Sequence, residues 1–131
     1  MSQRAFRGSC VCGQARYEVD LDLTAETFKC NCSVCSKHRT WFAGVAPSAF
    51  RLLVDDATLG HSGENIVRRF CTRCGTHLFA RATGPDGKPF VGVVLATVEG
   101  ISDEERAALP VTVFDGRHDD FEHPPPVTSY L

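Results

Sequence analysis

No stretch of this chain stays apolar for long enough to cross a membrane. The longest such run, residues 90–96, is the length of a strand and is interrupted by Gly92. No apolar segment follows the two arginines within residues 1–7, so no secretory leader is expected and the expected location is cytoplasmic. Neither sign of charge is in excess. Fourteen Lys and Arg stand against 16 Asp and Glu, a net charge of −2, which gives no electrostatic footing for nucleic acid or an anionic membrane. There is no internal repeat and no interdomain linker, so residues 1–131 are expected to form one domain. With 43% hydrophobic and 23% charged residues, the chain is ordinary enough to exclude global disorder. It is also long enough to bury a core without disulfide staples.

What is present is mostly strand and turn. Residues 14–21 alternate strictly, with Ala15, Tyr17, Val19 and Leu21 apolar, and predict a half-buried strand. Residues 28–32 alternate too and lead into a tight turn at 33–35. Residues 41–46 read as a strand stopped by Pro47, with one helical turn at 47–50. Short strands are expected at 51–54 and 59–62, then a hairpin connection at 62–65 and a return strand at 66–71. Another strand is expected at 76–82, followed by a stretch dense in turn formers, and 90–98 reads as a strand buried on both faces. Ser102 with Glu105 is a capping box, which predicts a short helix over 103–109 ended by Pro110. A last strand is expected at 111–114, and 115–131, with Pro124, Pro125 and Pro126, should lie extended over the surface. The class is mainly β with one short helix.

The informative residues are seven cysteines. Structural disulfides are rare in a reducing compartment, and an odd number would leave a thiol over. The cysteines also fall into three tight clusters, Cys10-Val11-Cys12, Cys30-Asn31-Cys32-Ser33-Val34-Cys35 and Cys71-Thr72-Arg73-Cys74. Such spacing is that of metal ligands. Cys71 and Cys74, with Gly75 to turn the backbone, form a knuckle that can hold one ion. Cys10 and Cys12 at i and i+2 point to one side of an extended chain, with Gly8 and Gly13 for freedom. Each pair is half a tetrahedral site. Cys10, Cys12, Cys71 and Cys74 are therefore assigned to one closed, structural Zn²⁺ site that ties the start of the chain to its middle. For Cys71 and Cys74 the ordinary alternative is two free buried thiols at a turn.

Cys30, Cys32 and Cys35 remain, and three thiolates cannot close a tetrahedron. Three protein ligands with an open fourth position is the pattern of a catalytic zinc. Two alternatives stand beside it. His38 could complete a Cys₃His site, or the three could be a metal-free redox trio. An open, thiolate-rich zinc suits an incoming thiol, which loses its proton there and stays nucleophilic. Lys37, Arg39 and Trp41 could hold an anionic, peptide-like thiol; the plainer readings are a solvated loop for the first two and core packing for Trp41. His38, His61, His77 and His118 are candidates for proton transfer, with His38 nearest the trio in sequence.

Together the three clusters, as Gly8-Ser9-Cys10-Val11-Cys12-Gly13, Cys30-Asn31-Cys32-Ser33-Val34-Cys35 and Phe70-Cys71-Thr72-Arg73-Cys74-Gly75-Thr76, resemble the glutathione-dependent formaldehyde-activating enzyme family. The likeness extends through Phe50-Arg51-Leu52 and the stretch from Phe114 to Asp120. It implies a zinc-stapled β-tent fold similar to Rab exchange-factor-like zinc proteins. It also implies two zinc ions, divided as above, the second filled wholly or in part. The implied reaction joins glutathione and formaldehyde into S-hydroxymethylglutathione, a carbon–sulfur lyase reaction run in reverse. Many relatives carry a basic residue directly after the third cysteine of the trio, where this chain has Ser36.

Two further functions compete with that enzyme. One is a thiol carrier or zinc-dependent binding module that performs no chemistry. The other is a protein-interaction domain on the same fold, which would need only the closed site and an exposed apolar patch. The sequence carries no signal for an oligomeric state.

Overall fold

Strand β1 (Gln3–Ser9) pairs antiparallel with β2 (Arg16–Asp22), the strand announced by strict alternation. Tyr17, Val19 and Leu21 of β2 are buried, and the residues between them are not. The computed structural model describes residues 3–131. Its remaining strands are β3 (Thr27–Cys30), β4 (Phe42–Val45), β5 (Phe50–Leu52), β6 (Leu59–Ser62), β7 (Val67–Cys71), β8 (His77–Thr83), β9 (Pro89–Val94), β10 (Val98–Glu99) and β11 (Val111–Phe114). They form two sheets, of order β10-β1-β2-β5 and β11-β3-β4-β9-β8-β7-β6. The fold is mainly β, as expected. β3 and β11 run parallel, which sets Phe114 beside Cys30. The remaining pairings are antiparallel.

The two sheets close on a shared core. Tyr17 and Val19 of one, and Leu78, Phe79 and Val93 of the other, are essentially inaccessible to solvent. Phe50 lies between them, its ring 5.2 Å from Tyr17 and 4.6 Å from Phe79. Each such side chain contributes about 1.5–3 kcal/mol by burial. Gly8 serves this core. A Cβ there would strike the Tyr17 ring, so Gly8 is required for close approach rather than for backbone freedom near Cys10.

The apolar run at 90–98, expected as one strand, is two. β9 ends at Val94, a 3₁₀ turn over Leu95–Thr97 lifts the chain, and β10 joins β1 in the other sheet. The turn stays buried because its polar group is paired. The Thr97 hydroxyl donates to the Val94 carbonyl at 2.8 Å and accepts from the Tyr17 hydroxyl at 2.6 Å.

Two α-helices are present among the described residues, where one was expected. The capping box forms as read. The Glu105 amide donates to Ser102 Oγ at 3.0 Å and the Ser102 amide to Glu105 Oε1 at 3.1 Å, and they start α2 (Asp103–Ala107). The additional helix is α1 (Ser33–His38), where a bare turn was expected. Cys32 caps it by accepting from the Cys35 amide, and Arg39 ends it in the left-handed conformation. The segment after β11 is not simply extended either. It turns through a 3₁₀ helix at Gly116–His118, inside a loop closed by mutual backbone bonds between Asp115 and Asp120.

Candidate metal centres

The first centre joins two knuckles. Cys10 and Cys12 sit in a turn, not in extended chain: the Gly13 amide returns to the Cys10 carbonyl at 3.0 Å, and Gly13 has φ +79°. Around Cys71 and Cys74, the Gly75 amide returns to the Cys71 carbonyl at 2.8 Å, with φ +78° at Gly75. The two knuckles repeat one another. The Cys10 amide bonds the Ala15 carbonyl and the Cys71 amide the Thr76 carbonyl, both at 3.0 Å. Thr76 links them, accepting from the Val11 amide at 3.2 Å while its hydroxyl meets Cys74 Sγ at 3.1 Å. All four sulfurs lie within 4.8 Å of one another, with Cys10 to Cys12 at 3.5 Å and Cys12 to Cys71 at 3.7 Å. A tetrahedron with Zn–S bonds of 2.3 Å has sulfurs about 3.8 Å apart. The donor set and its spacing fit that ion. The Thr76 hydroxyl and neighbouring amides bring the Cys74 thiol down to about 5.

The second centre is built by β3 and α1. Cys30 ends β3, Cys32 is the helix cap and Cys35 lies one turn in, and their sulfurs also fall within 4.8 Å of one another. The Cys32 amide points to Cys30 Sγ at 3.4 Å and the Cys35 amide to Cys32 Sγ at 3.3 Å. Among the described residues no His, Asp, Glu or further Cys joins this group. His38 stands outside it, exposed at the end of α1 with its ring edge-on to His77 at 4.2 Å. The Cys35 thiol is brought down to about 5 by hydrogen bonding from Cys30, helped by Cys32 and Arg68 and by the nearby Thr40 hydroxyl, which stands beyond hydrogen-bond distance, against the opposing effect of burial. The same pairing and burial push Cys30 up.

Residues that sequence reasoning passed over complete this centre. Arg68, on β7 and 92% buried, donates to Cys35 Sγ at 3.6 Å. Asn31, between two of the cysteines and fully buried, donates to Asp115 Oδ1 at 2.8 Å and accepts from the Arg117 amide at 2.9 Å. Gly116 packs on the trio so closely that a Cβ there would sit 2.5 Å from Cys30 Sγ. Asp115 also holds His118 Nδ1 at 2.9 Å. Asn31 and the stretch from Phe114 to Asp120 lay within the family likeness; Arg68 gave no signal beyond its place in a strand.

The expected substrate residues divide. Arg39 borders a narrow cleft with Lys29, Cys30, Cys35, Ser36, Thr40, Tyr130 and Leu131. Trp41 is half-buried, its indole N–H donating to Thr27 Oγ1 at 2.7 Å and its face covered by the Lys29 ammonium at 5.1 Å. Lys37 is exposed on the last turn of α1. A hollow of about 430 Å³ is lined by residues of β2, β3 and β4, by Gln3 of β1 and by the loops beside them, and Cys30, at the end of β3, is not among them. Its carboxylates Asp20, Asp22 and Glu26 are bonded to Arg51, Thr24 and Thr112, and none of the seven cysteines lines it.

Residues 5–115 match the family described as glutathione-dependent formaldehyde-activating enzyme. The chain belongs to that family. A crystal structure of a Rhodobacter sphaeroides protein has the same fold, with a TM-score of 0.67 and 24% identity over 81% of this chain and 99% of that one. Both cysteine clusters of this family member are thus compatible with metal binding.

Proposed function

We propose that this chain joins glutathione to formaldehyde, giving S-hydroxymethylglutathione, as a zinc-dependent enzyme of the carbon–sulfur lyase type. The reading rests on one observation. Four cysteine sulfurs gather as a set of tetrahedral size, while three gather with no fourth Cys, His, Asp or Glu among the described residues. Cys10, Cys12, Cys71 and Cys74 would hold a structural zinc, which makes the fold a zinc-stapled β-tent. Cys30, Cys32 and Cys35 would hold a second ion with one position left for an outside ligand. Bound zinc there would supply an electropositive site at which a thiol ionises near neutral pH.

The chain's own residues have two tasks, to hold the thiol and to supply a proton. Arg39, Lys29 and Thr40 line the cleft beside the trio and suit the polar, anionic backbone of a small peptide thiol. The thiolate's lone pair then forms a bond to the aldehyde carbon, and the carbonyl π pair withdraws to oxygen. That oxygen needs a proton. His118 is assigned to give it, since it stands on the loop whose Gly116 packs on Cys30 and its Nδ1 is held by the Asp115 carboxylate at 2.9 Å. His38 instead faces His77.

Zinc is to be counted per chain by elemental analysis, in the native protein and in Cys32→Ser. Two ions falling to one, with the fold kept, supports the reading; a single ion in the native protein rejects it. Exchange between glutathione, formaldehyde and the adduct is then followed by NMR. Thiols add to aldehydes readily without help, so no acceleration over buffer would make the protein a thiol carrier.

A further inference from the structure

Adjacent arginines on β7 face opposite ways and are almost equally buried, with Arg68 8% exposed and Arg69 7%. Burying a guanidinium is costly unless it is paired and hydrogen-bonded. Arg69 meets that demand. It reaches Asp56 Oδ1 at 2.8 Å, the Asp56 carbonyl at 2.7 Å and the carbonyls of Gly60 and Leu59 at 3.2 and 3.4 Å. Arg68 has none of this. Among the described residues no carboxylate lies within ion-pair distance of it, and its side-chain hydrogen bond goes to Cys35 Sγ at 3.6 Å.

The surroundings sharpen the contrast. Three buried side-chain polar atoms lack a partner among the described residues: Thr40 Oγ1, Arg68 Nε and His77 Nδ1. Arg68 and Thr40 both face Cys35, and His77 stands close enough to Arg68 to feel its charge. Two of the three residues thus face one sulfur, and the third stands beside Arg68. A dication bound by three thiolates carries one net negative charge, and one further negative charge once an outside thiolate joins. A single buried cation without a carboxylate matches that excess.

We infer that Arg68 is the fixed counter-charge of the Cys30, Cys32 and Cys35 centre, a positioning residue that acts through Cys35 and favours the thiolate-rich, metal-bound state. This rests on the proposed two-centre reading. The distinction from a packing role is that charge at Arg68 governs one metal centre and not the other.

The test is chelator competition on zinc-loaded protein, comparing native chain, Arg68→Met and Arg68→Lys. Arg68→Met is expected to weaken the trio ion about ten- to hundred-fold, the usual effect of removing an outer-shell partner. The four-cysteine ion should be unmoved, and Arg68→Lys should fall between native and Met. Unchanged affinity at the trio in Arg68→Met overturns the inference. If Arg68→Met does not fold, Arg68→Gln carries the same comparison with the same outcomes.

A native chain that takes up one ion rejects the two-centre reading separately. The inference is then read from thermal unfolding of Cys35→Ala, Arg68→Met and the double variant, with only the four-cysteine site loaded. Cys35→Ala should strand the buried guanidinium, so the double variant should be less destabilised than the two single losses combined. Simple additivity would reject the pairing.

Discussion

Asn31 and Asp115 are joined by a 2.8 Å hydrogen bond that spans 84 positions of the chain and fastens the loop after β11 onto the cysteine trio. The amide is used from both ends, since its oxygen accepts from the Arg117 amide at 2.9 Å. Asn31→Ala removes both bonds, strips the Arg117 amide of its partner and leaves the buried Asp115 carboxylate to His118. The expected loss is about 1–3 kcal/mol of unfolding free energy, read from urea denaturation at neutral pH with zinc in excess. A loss within error would mean that the loop is held by other contacts.

The same carboxylate sets a pH dependence. Asp115 is held below the usual carboxylate range by the Asn31 amide first and by His118 second. A depressed folded value means that its stabilisation is complete above the unfolded value of about 3.9 and is lost as pH falls through the lower, folded one. Asp115→Asn should therefore flatten the acid limb of the stability curve. The measurement is the urea midpoint at neutral pH and below about pH 4, in native and variant chains. Equal slopes would assign the acid sensitivity elsewhere, for example to Asp56, which Arg69 and Arg81 hold low.

Glycines separate the two centres from the core. At Gly116 an added Cβ would lie 2.5 Å from Cys30 Sγ and 3.2 Å from Cys32 Cβ, both on short side chains fixed at β3 and the α1 cap. Under the proposed two-zinc reading, Gly116→Ala is expected to weaken the trio ion by about tenfold or more while the four-cysteine ion stays. At Gly8 the obstacle is the Tyr17 ring, anchored by its hydroxyl at Thr97. Gly8→Ala should cost about 1–3 kcal/mol by overpacking and leave both metal affinities near native. Chelator competition and thermal unfolding, run together, separate the two outcomes.

The cysteines show what was legible in the chain. Spacing alone divided them four and three, because ligands of one ion must be close in sequence or paired as knuckles. The strands at 14–21 and 66–71 were legible from alternation and from their turns. Helix α1 was not, because six residues are too few for a helical period and its cap is a cysteine rather than Ser, Thr, Asp or Asn. The change of sheet at Leu95 was hidden by a continuous apolar run whose turn is paid for by Tyr17, 80 positions away. Arg68 was invisible for a related reason. A charged residue in a strand reads as solvent-facing until the sulfur behind it is located in space.

The tail bears on how a thiol reaches the trio. Lys29 Nζ donates to the Leu131 oxygen at 3.2 Å, and Tyr130 and Leu131 wall a cleft of about 10 Å³ beside Cys30 and Cys35. That volume holds one water and no tripeptide. Under the proposed function, residues 129–131 must therefore move aside before glutathione can bind. Tyr130 is 41% exposed and Leu131 half-buried, and neither belongs to the buried core cluster, so removing the three residues leaves that core intact. The truncated chain is expected to keep its melting temperature within a few degrees and to show a lower KM for glutathione. Lys29→Ala in the truncated background should raise KM again, because the freed ammonium lines that cleft and can meet the peptide's carboxylate or carbonyl. A KM that ignores both changes would place the thiol's path on another side of the trio.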